Sequence, residues 1–298
     1  MKIRLLSILA IAALCTSCND GEIFEQEMYK NVVALISSEY HNTFQEVVPL
    51  TGEEVSGYLA ASAGGTSATN KDLVLELEES LEPFDKYNWA LFDADESLYA
   101  KLLPKDKFEI EDYSITIKSG ERTGRTLVKI RPDGLSPDST YFIALKVKPS
   151  SNVEVNEKKN TILFQVLIEN DYASQIKNDF YTMTGLNNSM VVAGSKKLYP
   201  LSKNTVRTVV GSETFENSLK HIENNSIIIE VNPDSSLLIK PYKNLLMKQI
   251  DGNQRYPNKY YLEEAFGRKF HVFSLSYEYT IGKETKIMEE ELRLEIID

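Results

Sequence analysis

The sequence predicts an all-β protein with two domains: a β-sandwich that carries a short helical insertion, then a second antiparallel β-sandwich or small β-barrel. Short runs of alternating apolar and polar residues predict strands, as at 113–118, 126–131 and 141–147, because a period of two places alternate side chains on opposite sheet faces. Turn residues separate these runs at 119–121 (Ser-Gly-Glu) and 132–134 (Pro-Asp-Gly). A chain of 298 residues is long enough for two domains with their own cores.

The first domain is predicted to span residues 30–170. A change of period within 78–99 predicts helical turns inserted between strands, and these begin at Pro83 because proline is tolerated only in the first turn of a helix. Trp89, on this insertion, is predicted to belong to the core. The three alternating runs are predicted to pair as antiparallel neighbours, since short turns connect them. The other predicted strands are 32–36, 47–50, 57–61, 73–77 and 161–168.

The second domain is predicted to span residues 175–298, after a polar boundary at 170–178. In the run 271–281, His271 alternates in phase with apolar residues, which favours a buried histidine over a metal ligand. The opposite side of that run is predicted to face water. Separators rich in Asn, Asp, Gly and Pro indicate short antiparallel strands. The other predicted strands are 190–192, 205–210, 227–231, 237–239 and 288–296.

Residues 1–17 are predicted to be a lipoprotein signal peptide. Lys2 and Arg4 precede an apolar run that is too short to span a bilayer. Ser17 is a small residue directly before Cys18, so cleavage there would free the Cys18 thiol and amine for lipid attachment. Residues 18–29 are predicted to form a flexible acidic tether, and they resemble the export signal of Bacteroidetes lipoproteins. The expected location is therefore the outer membrane, with a lipid anchor as the only membrane attachment and the protein facing the cell exterior.

Charge and cysteine content limit the partners and the means of stabilisation. The net charge is −11 at pH 7 and becomes more negative when Lys2 and Arg4 are removed. This acidic balance argues against nucleic acid and against anionic polysaccharide as partners. Loss of Cys15 with the signal peptide and lipid attachment at Cys18 leave the mature chain without a thiol for a disulfide. The fold must therefore be stabilised by its hydrophobic cores.

Two series of short motifs carry a resemblance to known families. The first series consists of Tyr87-Asn88, Tyr99, Leu103-Pro104, Phe108, residues 114–121 and 134–138, and Tyr141. It resembles the immunoglobulin-like N-terminal domain of Bacteroidetes surface lipoproteins, catalogued as domain of unknown function 1735, and implies an immunoglobulin-like sandwich for residues 30–170. The second series consists of residues 199–201, 227–232, 258–261, 277–279 and 291–292. It resembles the C-terminal partner domain of these lipoproteins, domain of unknown function 4361.

The resemblance implies a non-catalytic, glycan-binding accessory protein of a polysaccharide-utilisation system. Such a protein holds glycan near an outer-membrane import complex. The alternative is an adhesion or pilus-associated structural surface protein that binds protein partners. Aromatic side chains exposed in one loop favour the glycan binder, whereas a long unpaired edge strand favours the alternative.

Candidate catalytic and metal-binding groups are sparse in the sequence. A catalytic barrel needs about 200–250 residues, more than remain after the first domain, and the sequence lacks GxSxG, HExxH and a glycine-rich phosphate loop. His41, His221 and His271 lack metal-ligand spacing. The carboxylates at 263–264 and 289–291 are interpreted as solvated charges at strand ends. No enzyme activity, cofactor or metal site is predicted.

The candidate binding site is the loop 251–261 (DGNQRYPNKYY). Sugars present apolar C–H faces and hydroxyl groups, so a site for them needs exposed aromatic rings and planar polar side chains. The proposed ligand is a neutral glycan. In the alternative interpretation, the tyrosines of this loop pack inward as structural residues. The candidate glycan-binding residues are Tyr256, Tyr260, Tyr261, Arg255 and Asn258.

Overall fold

A computed structural model describes residues 32–65, 67–151 and 153–297. The predicted signal peptide, Cys18 and the acidic tether lie outside these residues. The all-β fold class is confirmed. Four sheets of mostly antiparallel strands form two sandwiches, which follow each other in the sequence. Among the described residues, no helix is both long enough and apolar enough to cross a membrane.

The first sandwich holds the strands up to β11 and one α-helix. Its elements are β1 Val33–Leu35, β2 Thr43–Pro49, β3 Val55–Ala63, β4 Leu73–Glu79, α1 Glu82–Phe92, β5 Lys101–Leu102, β6 Phe108–Ile110, β7 Ser114–Ile117, β8 Thr123–Ile130, β9 Tyr141–Val147, β10 Thr161–Asn170 and β11 Ala173–Ser174. One sheet has the order β1-β3-β8-β6, and the other has the order β11-β10-β9-β4-β7. Strands β2 and β5 add to the second sheet in parallel with β10 and β9.

The inward faces of both sheets form one core. Leu59, Ile115, Val128 and Phe164 are all fully buried in it and belong to a single apolar cluster. The period-two pattern correctly predicted the buried side of β7 and β8, on which Ile115 and Val128 lie. Strand β10 is buried on both sides, since Leu163 and Phe164 are both fully buried.

The predicted pairing of the three alternating runs is wrong. Strand β7 pairs with β4, β8 pairs with β3 and β6, and β9 pairs with β4 and β10. The chain therefore crosses from one sheet to the other at both turns. Where β7 passes β8, a β-carbon at Gly124 would collide with the carbonyl oxygen of Thr116. Alternation reports the buried side of a strand, and it does not report which sheet the strand joins.

The predicted helical insertion is present as α1, with Pro83 in its first turn. Phe84 and Tyr87 pack against a small cluster around Phe142, and Asn88 accepts a hydrogen bond from the Ala100 amide at 2.8 Å. The prediction that Trp89 belongs to the core is wrong, because its side chain is 62 % exposed. Residues three and four apart share a helix face, and Trp89 lies off the face that holds Phe84, Tyr87 and Asn88.

The second sandwich contains the remaining strands. Its elements are β12 Tyr181–Asn187, β13 Met190–Lys196, β14 Tyr199–Ser202, β15 Thr205–Val209, α2 Leu219–Asn224, β16 Ser226–Val231, β17 Leu237–Pro241, β18 Leu246–Gln249, β19 Lys259–Ala265, β20 Arg268–Ile281 and β21 Glu284–Ile296. The order β13-β12-β21-β20-β18 forms one sheet, with β19 also paired to β20, and β14-β15-β16-β17 forms the other. Its core is a separate cluster that contains Ile227, Ile229, Phe273 and Tyr277.

The expectation that one side of β20 faces water is wrong over the middle of the strand. Val272 and Ser276 on that side are fully buried, and Ser274 is 3 % exposed. The loop 250–258 lies across this face, and the Ser276 amide donates a hydrogen bond to the Asn258 side chain at 2.7 Å. The Ser276 hydroxyl accepts a hydrogen bond from Asn253 of the same loop at 3.3 Å, and a pattern of polar residues does not distinguish such a bond from contact with water.

The polar segment predicted as the domain boundary is tied to both sandwiches. The Asn170 side chain donates to the carbonyl oxygens of Ser202 and Thr205 at 2.7 and 3.1 Å. The Gln175 side chain donates to the carbonyl oxygens of Pro137 and Ser139, both at 3.1 Å. The two cores share no residue, and the position of the boundary between them remains a prediction.

Candidate functional site

The loop predicted to bind glycan is folded onto the sheet. Tyr256 is only 8 % exposed and Asn258 only 4 %. The Asn258 amide group donates to the Ile250 carbonyl at 2.7 Å, and the Asn253 carboxamide oxygen accepts from the Tyr256 amide at 2.9 Å. The premise that Tyr256 is an exposed platform is therefore incorrect, and the structural interpretation that the sequence left open applies to this ring.

The other three candidate residues do not meet in one open site. The Tyr260 hydroxyl lies 2.8 Å from Nδ1 of His271, and its ring packs edge-on against Tyr172 at 5.1 Å. Tyr261 is 41 % exposed and donates to Glu291 at 3.3 Å, while Arg255 lies exposed over the Tyr256 ring. Since Tyr260 and Tyr261 are consecutive on β19, their side chains point to opposite sides of the sheet. Glycan binding by this group remains a prediction.

A different part of the second domain offers a more open and more aromatic site. A cleft with a volume of about 470 Å³ lies between β13, the start of β14 and the segment 211–215 that follows β15. Phe180, Tyr199 and Phe215 line it. Phe180 is 48 % exposed and Phe215 is 37 % exposed, and the Phe215 ring stacks on Tyr199 with centroids 5.5 Å apart. These rings present partly exposed apolar faces to the cleft.

The wall of the cleft also contains a buried lysine. Lys196 lines the cleft, and its Nζ lies 2.7 and 2.6 Å from the two carboxylate oxygens of Glu290. The Tyr277 hydroxyl donates to the same carboxylate at 2.6 Å and accepts from the Gly211 amide at 2.8 Å. The interpretation of Glu290 as a solvated charge is wrong, because this residue is fully buried.

Burial and the Glu290 carboxylate shift the pKa values of Lys196 and Tyr277. Burial lowers the pKa of Lys196, and the nearby Glu290 carboxylate opposes that change. Burial raises the pKa of Tyr277 far above its ordinary value, and Glu290 adds to the increase. Tyr277 is thus a neutral hydroxyl that can donate a hydrogen bond. An ammonium group has three donors, and Glu290 is the one side-chain partner of Lys196 in the described residues.

The charges around the cleft are largely compensated. Glu213 is bound by Lys286 at 2.9 Å, as Lys196 is by Glu290. Lys197 contacts the Tyr199 ring, with its Nζ 5.7 Å from the ring centroid. Within residues 32–65, 67–151 and 153–297, no three His, Cys, Asp or Glu side chains are grouped to hold a metal ion. Partly exposed rings beside mostly paired charges suit an uncharged ligand with hydroxyl groups.

A cavity in the first domain lacks this combination. It has a volume of about 340 Å³ and is lined by Leu81, Leu102, Phe108 and Phe142. Phe142 is fully buried and Phe108 is 8 % exposed, so neither offers an accessible ring face. The cleft of the second domain is therefore the better candidate site.

The sequence offered little to predict this cleft. Phe180, Tyr199 and Phe215 come from three segments that meet only in the folded sandwich. Glu290 did carry a signal, because Met288, Glu290 and Leu292 alternate and all three are buried on β21. A glutamate in phase with apolar residues indicates a buried, paired carboxylate. Its neighbours Glu289 and Glu291 are half-buried and accept hydrogen bonds from Asn253 and Tyr261.

Comparison with known proteins identifies the two halves of the chain separately. A family model for an N-terminal domain matches residues 24–154, and a model for a C-terminal domain matches residues 160–293. None of the curated proteins that were compared with the sequence matches it. The specific assignment of the second half to domain of unknown function 4361 remains a prediction.

Solved structures share the fold at low sequence identity. A multidomain Bacteroides ovatus protein that includes domain of unknown function 1735 has a TM-score of 0.64 at 13 % identity, covering 88 % of this chain and 94 % of its own. A Bacteroides ovatus protein of unknown function has a TM-score of 0.63 at 14 % identity, with 93 % of both chains covered.

A third solved structure is an auxiliary nutrient binding protein from Bacteroides thetaiotaomicron. Its TM-score is 0.58 at 12 % identity, and the match covers 88 % of this chain and 94 % of that one. All three similarities extend over both sandwiches, and the two family models follow each other along the same chain. This chain therefore combines two domains that family models match one after the other, and it shares its two-domain β fold with these Bacteroides proteins.

Proposed function

We propose that this protein is a surface-exposed outer-membrane lipoprotein that binds a neutral glycan, without catalysis, for a polysaccharide-utilisation system. The observation that carries the proposal is the cleft in which Phe180, Tyr199 and Phe215 stand beside the buried Lys196–Glu290 pair. Aromatic faces stack on the apolar faces of sugar rings, and polar groups at the wall can fix hydroxyl groups. The lining charges are mostly paired, which favours a neutral ligand over an anionic one.

Two further observations support the proposal. A protein with the same two-domain fold is described as an auxiliary nutrient binding protein. The sequence around Cys18 has the form of a lipoprotein signal, which supports anchoring at the outer membrane near an import complex.

The carboxylates of the cleft support binding over hydrolysis. Glycoside hydrolysis requires two carboxyl groups that flank the scissile bond. Glu290 is bound by both Lys196 and Tyr277, and Glu213 is bound by Lys286. Both carboxylates are therefore engaged as ion-pair partners.

Titration calorimetry of the lipid-free protein with a panel of neutral oligosaccharides tests the proposal. Phe215→Ala and Phe180→Ala should each weaken binding roughly three- to twelve-fold, the equivalent of about 0.5–1.5 kcal/mol for one lost stacking contact. Their melting temperatures should stay near that of the wild type, because both rings are partly exposed. Phe266→Ala is the matched control, since Phe266 is a fully exposed ring at the β19–β20 turn.

Tyr261→Ala distinguishes the cleft from the loop that the sequence favoured. If Tyr261→Ala weakens binding while the two cleft variants do not, the site lies on the β19 side of the sheet instead. If the wild type binds none of the glycans, the proposal is wrong and the protein-binding alternative gains support.

One observation favours that alternative, a surface protein that binds protein partners. Strand β13 lies at the end of its sheet, and one of its edges is unpaired in the described residues. Met190 is 69 % exposed and Val191 is 84 % exposed, and no charged residue precedes Lys196 on the strand. Exposed edge strands are usually protected by charges, bulges or a covering segment. An unprotected edge can accept a strand from another polypeptide.

A further inference from the structure

The two sandwiches are joined by a buried ion pair. Asp138, in the turn between β8 and β9, accepts hydrogen bonds from both terminal nitrogens of Arg207 on β15, and the Nη2–Oδ1 distance is 2.6 Å. The Arg207 side chain is 1 % exposed and the Asp138 side chain is 10 % exposed. A bidentate carboxylate–guanidinium pair is strong and fixes the orientation of both groups. The geometry of this contact therefore relates one sandwich to the other.

The guanidinium group of Arg207 also contacts two aromatic rings. Its central carbon lies 4.8 Å from the ring centroid of Tyr199 and 5.0 Å from that of Tyr242, within the range of cation–π attraction. Burial alone would lower the pKa of Arg207, but the bonds to Asp138 outweigh that effect and raise it. Arg207 therefore remains charged between the two rings.

Tyr199 connects this interface to the cleft. It pairs with Arg207 across β14 and β15, and its ring stacks on Phe215 at an interplanar angle of 26°. Tyr199 and Phe215 both line the cleft. A continuous series of contacts thus runs from Asp138 of the first sandwich through Arg207 and Tyr199 to Phe215.

We infer that Asp138 is a positioning residue for the cleft of the second domain, and that the first domain thereby sets the binding geometry. Loss of the carboxylate leaves a buried guanidinium group without its counter-charge, a state that is strongly unfavourable. Arg207 must then move towards water or recruit another partner, and Tyr199 loses the group that supports its ring. Only the expected change in ligand affinity rests on the proposed function.

Hydrogen exchange monitored by mass spectrometry tests the positioning without any ligand. In Asp138→Ala, exchange should increase in residues 197–202 and 211–216, which carry the cleft rings. Asp72→Ala is the matched control, because it removes a carboxylate of the first sandwich that is bonded to Lys118 and the Ser119 amide and not to Arg207. In that control, the two cleft segments should exchange as they do in the wild type.

Two conservative variants separate positioning from a general loss of folding. Asp138→Asn keeps the size and one acceptor oxygen, and Arg207→Lys keeps the charge but loses the planar group. Both should raise exchange in the two segments and weaken binding of the glycan identified by the panel by roughly three- to twelve-fold. Exchange in the core strands β3 and β10 should stay unchanged.

Unchanged exchange in the cleft segments of Asp138→Ala and Asp138→Asn would overturn the inference. An equal increase in Asp72→Ala would also overturn it, because loss of any first-domain carboxylate would then have the same effect. If no glycan binds the wild type, the proposed function fails, and the exchange measurements still decide whether Asp138 positions the cleft.

Discussion

Lys196 and Glu290 are the side chains whose burial most needs a reason. Their side chains are 2 % and 0 % exposed, and removing two charges from water costs several kcal/mol that their attraction repays only with good geometry. A buried pair of this kind is therefore weak evidence for stability. Under the proposed function, the pair would hold the wall of the aromatic cleft that Lys196 lines.

Lys196→Met should destabilise the protein by about 3–5 kcal/mol, because Glu290 would then be buried without its counter-charge. Lys196→Met combined with Glu290→Leu should recover most of that loss, since an apolar pair of similar volume removes both desolvation costs. Urea unfolding of the three proteins measures these differences.

The exposed pair Lys86–Glu82 provides the control for this prediction. Its side chains are 74 % and 52 % exposed, and such surface pairs on a helix contribute about 0.3–0.5 kcal/mol. Lys86→Met should therefore change the unfolding free energy by less than about 1 kcal/mol. A similarly small effect of Lys196→Met would contradict the buried position of the pair.

At the scale of elements, the sequence predicted strands better than it predicted their neighbours. Alternation located β7, β8 and β9 within a few residues, because side-chain direction depends only on the local backbone. Pairing depends on contacts that are distant in sequence, so the expected three-stranded arrangement was wrong. Strands β5, β6, β11, β12, β14 and β18 were not predicted, and β14 is short and contains Pro200, which weakens a strand signal.

The covering loop 250–258 also shows that contacts distant in sequence limit what the sequence can predict. Its Asn, Arg and Tyr residues suit a sugar site by composition, but the loop uses Asn253 and Asn258 to bond to the β20 strand beneath it. The cleft rings were missed for the converse reason, since Phe180 and Phe215 stand in segments without a motif. Residue types alone could not separate a ligand-binding loop from one that satisfies its own backbone.

The unpaired edge of β13 leads to a prediction for this element. At high protein concentration, β13 should pair with β13 of a second copy, because both edges expose unpaired backbone groups and apolar side chains. Val191→Lys should abolish this self-association by placing a charge on each strand. Analytical ultracentrifugation measures the association.

Leu262→Lys is the control for that prediction. Leu262 is 58 % exposed on β19, a strand that already carries charged residues such as Glu263 and Glu264. The substitution should leave any self-association unchanged. A wild type that stays monomeric at all concentrations would show that the β13 edge does not pair with itself.

The described residues form two main cores, and specific side-chain contacts join the two sandwiches. Asp138 and Arg207 form an ion pair between them, and the Tyr172 ring packs edge-on against Phe273 of the second core at 5.6 Å. The family models divide the chain between residues 154 and 160, before β10, whereas the apolar clusters place β10 with the first core. The boundary segment itself forms more contacts than its polar composition suggested, because its side chains bond to backbone groups of both sandwiches.

Cleavage of the chain between Lys177 and Asn178 tests this two-part organisation. A specific protease site inserted there should be cut efficiently, since residues 176–180 are all exposed. Both fragments should keep their β-sheet circular dichroism, because each contains a complete core. They should also elute together in gel filtration, held by the contacts of Asn170, Tyr172 and Asp138 with the second sandwich. In Asp138→Ala the cut fragments should separate more readily, whereas loss of structure in both fragments after cleavage would show that the two sandwiches form a single folding unit.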